Sequence, residues 1–194
     1  MDNSRQNLDG MFFKMAAPLG GSPAERVYLR YSGAIYNRWD YNADTGNYLR
    51  YVDNANDINR NNEVYVPLTD RITNQMIAAE NVVTLCVPHQ YYVKKEDAEV
   101  VEIIMDSALI GSYTGCDGKT YPGNTGAAYV ARDGQLFTAT WKRAAKDTVL
   151  TLLQADGTPF PLKPGHTWFE VVGASSEVLQ QPDNSWRFVH HMVP

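Results

Sequence analysis

The sequence predicts a mainly β domain: an antiparallel twisted sheet, or a partly open barrel or sandwich, with one short helix. Three observations predict it. Apolar residues alternate along the chain instead of recurring at helical spacing. Tyr, Val, Thr, Trp and Phe, which suit a pleated surface, fill those alternating stretches. Turn dipeptides, Asp133-Gly134, Asp156-Gly157 and Pro164-Gly165, then punctuate them at short intervals.

In chain order, Val27, Leu29 and Tyr31 share one face of a first strand, and on a second strand Trp39 and Tyr41 oppose Arg38 and Asp40. Residues 42–47 are rich in turn formers and return the chain as a hairpin with 48–52. Asp133-Gly134 joins strands 127–132 and 135–142. Asp156-Gly157 follows a strand at 149–154, and Pro164-Gly165 precedes one at 167–172. Only residues 73–79 read as a helix, of one or two turns, with Thr73 able to cap it. Residues 53–62 and 112–125 are polar or glycine-rich and read as exposed loops. Residues 1–174 form one β-rich domain, and 175–194 are read as a C-terminal extension, a hairpin of 177–181 with 186–192.

A chain of 194 residues with 44% hydrophobic residues, 12 Tyr and 4 Trp can build a core without metals or disulfides. Its 17 Lys+Arg against 22 Asp+Glu give a net charge of -5, and only Lys94-Lys95 and Lys142-Arg143 cluster positive charge. A nucleic-acid partner is therefore excluded, because phosphate neutralisation needs such clusters. No apolar run is long enough for a transmembrane helix, and the first residues lack the order of a signal peptide. Cys86 lies in the apolar run 82–87, where a buried inert thiol and a bridge to Cys116 are equally open readings.

Tests for chemistry return few candidates. Counted from Asp53, the calcium-loop template meets Ala55, Ile58 and Val64 where it needs a ligand, Gly and Glu, so 53–62 reads as a solvated loop. His190 and His191 are adjacent on a strand and point to opposite faces, and no HExxH spacing occurs, so neither a metal nor a cofactor is expected. Gly118-Lys119-Thr120 lacks the leading glycine of a phosphate loop, which leaves Lys119 an ordinary loop lysine. His89, where an apolar strand surfaces, is a candidate general base against the simpler reading of a histidine bonded to a loop carbonyl. With Glu102 as acid and Arg132 holding an anion, it makes one weak catalytic trio if all three meet at a sheet end. Asp70-Arg71 reads as a capping turn. Trp39, Tyr41 and Tyr48 are the ligand-binding candidates: on an open face they would stack on sugar rings or grip a peptide, while core packing is the competing use of such residues.

The order of motifs resembles a known family. Trp39-Asp40-Tyr41, Gly46-Asn47-Tyr48-Leu49-Arg50, Thr69-Asp70 and Asn81-Val82-Val83 are followed by Arg132-Asp133-Gly134-Gln135, Thr140-Trp141-Lys142-Arg143 and Asp156-Gly157-Thr158-Pro159. The run from Leu162 through Pro164-Gly165-His166-Thr167-Trp168 to Val172 closes the series. Together these are similar to the C-terminal domain of the YerB-type lipoproteins, a bacterial family of unknown function, over about residues 10–172. The segment 110–125 is longer than the family's connection there, and 175–194 runs past its end. The resemblance implies an extracytoplasmic protein anchored by a lipidated N-terminal segment, with a larger domain preceding this one and no catalytic residues to carry over. The expectation is a non-catalytic module that binds an envelope polymer or an envelope protein. Its rivals are a hydrolase of envelope glycans and a spacer that supports the preceding domain, the last predicting a broad apolar docking patch.

Overall fold

The computed structural model describes residues 10–53, 63–93, 98–145 and 147–191, with the backbone alone for 91–93 and 98–102. The expected loop at 53–62 and the pair Lys94-Lys95 lie almost wholly outside the described residues. Strands account for the regular structure that is described, and no helix occurs among them. Two short pairings, β1 (Phe12–Phe13) and β2 (Ser22–Pro23), precede the meander β3 (Arg26–Arg30), β4 (Tyr36–Asn42) and β5 (Asn47–Asp53). Next come β6 (Tyr65–Pro67), β7 (Ala78–Ala79), the apolar strand β8 (Asn81–Val87), and two hairpins, β9 (His89–Val93) with β10 (Ala98–Ile103) and β11 (Ser112–Thr114) with β12 (Thr120–Pro122). The long hairpin β13 (Thr125–Arg132) and β14 (Gln135–Lys142) leads to β15 (Thr151–Leu153), β16 (Pro161–Leu162), β17 (Thr167–Gly173), β18 (Glu177–Gln180) and β19 (Ser185–Val189).

Two open sheets stack as a sandwich with no closed barrel. One has the order β15-β14-β13-β8-β17 with β2 beside β14; the other is β18-β19-β3-β4-β5-β6 with β7 beside β5. Between them Val27, Leu29, Trp39, Tyr48 and Phe188 meet Val82, Cys86, Tyr129 and Val172 in one core. Alternate residues of the first sheet, among them Val83, Leu85, Val130, Phe137 and Trp141, build a second core on its far face. Burial on both faces explains why every residue of β8 is buried and why its apolar run is unbroken.

The Asp133-Gly134 turn forms as expected. Both residues have positive φ, 52° and 71°, as a two-residue hairpin turn of matching twist requires. Direction differs from the antiparallel expectation in three places among the described residues, since β17 runs parallel to β8, β19 parallel to β3 and β1 parallel to β16. Alternation encodes which face a residue takes but not the direction of its partner.

The expected helix at 73–79 is absent, and local competition explains it. The Asp70 carboxylate accepts hydrogen bonds from the Ile72 and Thr73 amides at 3.0 and 2.8 Å, and β7 pairs with β5 through Ala78 and Ala79. The Asp70 bonds cap a single turn that ends at Asn74 with positive φ, while the Ile77 amide goes to the Leu68 carbonyl and β7 to β5, so sheet pairing takes the donors a helix would need. Residues 112–125 also differ from the exposed-loop expectation: β11 and β12 form a hairpin in which Tyr113 faces Tyr121, and it carries Cys116 into a disulfide with Cys86. The C-terminal hairpin joins the main sheet through β19, and Phe188 is fully buried in the shared core.

On the outer face of the second sheet, Glu63 joins β3 to β19. Its carboxylate accepts hydrogen bonds from Arg30 at 2.7 Å and from Arg187 at 2.8 and 2.7 Å, and a further one from Tyr65. Burial alone would raise the Glu63 carboxyl, but the Arg187, Tyr65 and Arg30 bonds outweigh it and lower the pKa from 4.5 to about 2. Because the folded value is the lower one, this stabilisation is complete above the unfolded pKa and is lost as the pH falls through about 2. Thermal melting across that window is expected to show a steep acid limb, and Glu63→Gln to flatten it while lowering stability at neutral pH. An unchanged limb in Glu63→Gln would assign the acid loss to other carboxylates.

Candidate functional site

The three weak catalytic candidates do not assemble. Arg132 pairs with Asn81 at the start of β8, whereas His89 follows the end of that strand, which separates them by roughly 25 Å of extended chain. Arg132 is fully buried and binds the carbonyls of Lys14, Met15 and Pro161, so it fastens β1 and β16 to the sheet. His89 Nδ1 lies 2.7 Å from the Val87 carbonyl, and burial holds its pKa below the usual histidine value. It also meets His190 edge-on at 5.5 Å between ring centres. This is the carbonyl-bonded histidine of the simpler reading. The backbone of Glu102 pairs with Gln90, near His89, and its side chain lies outside the described residues.

The aromatic candidates divide in two. Trp39 and Tyr48 are fully buried, so the open face imagined for them is absent: Trp39 packs between the sheets, and Tyr48 donates a hydrogen bond to the Ala24 carbonyl at 2.9 Å. Tyr41, two residues along β4 from Trp39, is half-buried and rests against Tyr48 at 5.2 Å. It lines an open cleft of about 750 Å³ at the rim of the sandwich.

That cleft is made where three of the motifs above come together. β4 brings Asp40 and Tyr41, the β13–β14 turn brings Asp133 and Gln135, and the entry to β3 brings Glu25 and Arg26. Gly134 lets the turn approach, since a Cβ there would stand 2.9 Å from the Tyr41 ring. Each acid is already engaged. Asp40 accepts two 2.7 Å bonds from Arg38, Asp133 accepts from Arg132 at 2.8 Å and pairs with Lys163 at 2.9 Å, and Glu25 accepts from Asn184 at 3.3 Å. Burial would raise the Asp133 carboxyl, yet the Lys163 and Arg132 bonds prevail and hold it below the usual carboxylate range. Asp133 is thus ionised at neutral pH and unsuited to general acid work. The cleft offers an aromatic ring, an amide, carboxylates and a guanidinium, which can position a polar ligand.

Lys163, on the loop after β16, closes one end. Its ammonium also donates to the Gly46 carbonyl at 2.8 Å, and beyond it lies a second cleft of about 550 Å³. Trp168, Met76 and Ile77 give that cleft apolar surface, and Asp70, Glu80 and His166 give it polar surface. Trp168 is braced from inside by Arg50, whose guanidinium carbon sits 4.0 Å from the ring centre. Lys163, Trp168 and the buried Glu170 behind them were not singled out from sequence. A glutamate on the same strand face as Trp168 and Val172 was the available signal, because that face is otherwise apolar.

Among the described residues no group of three or more His, Cys, Asp and Glu side chains is placed to hold a metal, and no helix is long and apolar enough to cross a membrane. A family described as "Protein of unknown function (DUF3048) C-terminal domain" matches residues 27–169. No curated protein matches the chain. Among solved structures, the YerB protein from Bacillus subtilis is similar, with a TM-score of 0.55 at 18% identity over 85% of this chain and 44% of that one. The chain therefore spans less than half the length of that protein, and the likeness is one of fold. With the family match covering its two sheets from β3 into β17, the chain belongs to the DUF3048 C-terminal-domain family, the YerB type, whose function is unknown.

Proposed function

We propose that this domain is a non-catalytic, extracytoplasmic binding module of a cell-envelope lipoprotein, and that it holds an envelope polymer in the Tyr41 cleft. One observation carries the reading: the Tyr41 cleft combines an aromatic ring with acids that the protein's own cations and amides already engage. Such a site can orient a ligand but has no uncommitted acid and base to act on it. The Cys86–Cys116 disulfide supports an oxidising compartment, and a lipidated segment elsewhere in a longer precursor would hold the module at the membrane.

Co-sedimentation with isolated cell-wall polymer tests the reading. Tyr41→Ala is expected to weaken retention about tenfold, the loss of one central aromatic contact, while His89→Ala retains it. Circular dichroism confirms that both variants fold. Absence of retention of the wild-type domain would overturn the reading.

A specific feature favours a second role, support of a preceding domain. Phe12, Phe13, Val149 and Phe169 are 47%, 50%, 37% and 37% exposed, and Val149 and Phe169 border an apolar cavity of about 510 Å³ with Met11, Leu85 and Leu150. An exposed apolar patch of this kind suits a docking face. In this reading the longer protein melts as one unit, and Phe169→Ser separates it into two transitions.

A further inference from the structure

We propose that the Tyr41 cleft and the Trp168 cleft are subsites of one groove along the sandwich rim, which takes a linear, uncharged glycan chain lengthwise across Lys163. This rests on the binding reading above and names its ligand class.

Continuity comes from Lys163. Its ammonium touches Asp133, which lines the first cleft, and the Gly46 carbonyl, whose neighbour Asn47 lines the second. Lys163 thus links the lining of one cleft to the edge of the other. Spacing comes from β4. Trp39 and Tyr41 sit two residues apart on one face, roughly 7 Å, and Trp168 stands 5.4 Å from Trp39. Tyr41 and Trp168 thus neighbour the same residue, Trp39, one along the strand and one across the sandwich.

The ligand class follows from the lining. Each cleft pairs one aromatic ring with hydrogen-bonding groups of both polarities, Arg26 and Gln135 in the first and Gln75 and His166 in the second, as a ring of hydroxyls with an apolar face requires. Glu25, Asp40, Asp133, Asp70 and Glu80 outnumber Arg26 and Lys163, which disfavours a polyanion. Their carboxylates are also occupied within the protein: Asp70 is capped by the Ile72 and Thr73 amides, and Glu80 accepts from the His166 amide at 2.5 Å. Those internal bonds offset part of the carboxylates' pull on a cationic peptide and leave lone pairs that neutral hydroxyls can use.

Soluble β-1,4-linked N-acetylglucosamine oligomers, from disaccharide to octasaccharide, are the probes, titrated by calorimetry into the intact domain. Affinity is expected to rise about tenfold or more with length as the second subsite fills. Two blocking variants at exposed lining positions separate the subsites: Ala43→Trp is expected to weaken every oligomer, and Gln75→Trp to remove the gain with length. If Gln75→Trp keeps the length gain, the second cleft is no subsite and the groove is overturned while the binding reading stands. If wall polymer retains the domain but no oligomer binds, the glycan assignment is overturned. Equal binding of oligolysine, abolished by salt, would replace it with a basic partner.

Discussion

Glu170→Ala is expected to destabilise the domain by about 3–5 kcal/mol in urea unfolding, because it strips the counter-charge from an arginine enclosed between two sheets. Glu170 Oε1 accepts the Trp39 indole N–H at 3.1 Å and lies 3.9 Å from Arg50, and Oε2 accepts the Tyr31 hydroxyl at 2.7 Å. Glu170 and Arg50 side chains are only 6% and 14% exposed. The knot is incompletely satisfied, since Arg50 Nε and Asn37 Oδ1 are buried without a hydrogen-bond partner. Burial pushes the Arg50 guanidinium down and Glu170 pulls it back up, so the carboxylate is what keeps a charged arginine tolerable there. Glu170→Gln, which keeps one acceptor oxygen, sets an NH2 donor in place of the other and loses the charge, should fall between wild type and alanine. The double variant Glu170→Leu with Arg50→Leu should recover much of the loss, because two apolar side chains need no counter-charge. A Glu170→Ala cost under about 1 kcal/mol would mean that water reaches the knot and solvates Arg50.

The same residues explain why the fold was legible in the sequence and the site only partly so. Mainly β character was carried by local signals: period-two alternation in β3, β4 and β17, and the Asp133-Gly134 turn, whose positive φ values are intrinsic to those residue types. The sandwich was not, because strand alternation gives a face without naming what covers it. The apolar run of β8 needed a second core on its far side, and that layer is built by segments as distant as Met11 and Phe160. The aromatic stripe was ambiguous for this reason. Trp39 and Tyr41 share a face, yet Trp39 lies under Trp168 and Arg50, while Tyr41 reaches the rim where the sheets diverge. Arg132 shows the converse: a charged residue next to a turn reads as accessible, but three carbonyls from two distant segments enclose it. The helix expected at 73–79 failed because the turn that Asp70 caps ends at Asn74, and pairing with Leu68 and the β5 edge claimed the donors beyond it.

Removing the disulfide, by reduction or by Cys86→Ala with Cys116→Ser, is expected to cost about 3–4 kcal/mol, the loop-closure entropy of a 30-residue separation, and to lower Tm by about 10 °C. The bond joins the most enclosed strand of the sandwich to the β11–β12 hairpin, which also leans on the sheets through Tyr121 and through Tyr113, whose hydroxyl donates to the Thr125 carbonyl at 2.7 Å. Cys86 itself is held independently, because its carbonyl accepts the Trp141 indole N–H at 2.9 Å. Loss of the bond should therefore release the hairpin first and leave β8 in place. Hydrogen exchange would show this as lost protection at 112–122 with β8 and β13 still protected, followed by global unfolding at the lowered Tm. Equal Tm with and without reductant would overturn the expectation, since the hairpin would then be fixed by packing alone. A domain that depends on this bond loses stability wherever thiols are kept reduced, so a large shift on reduction supports the extracytoplasmic placement proposed above, and the polymer-binding assays belong under oxidising conditions.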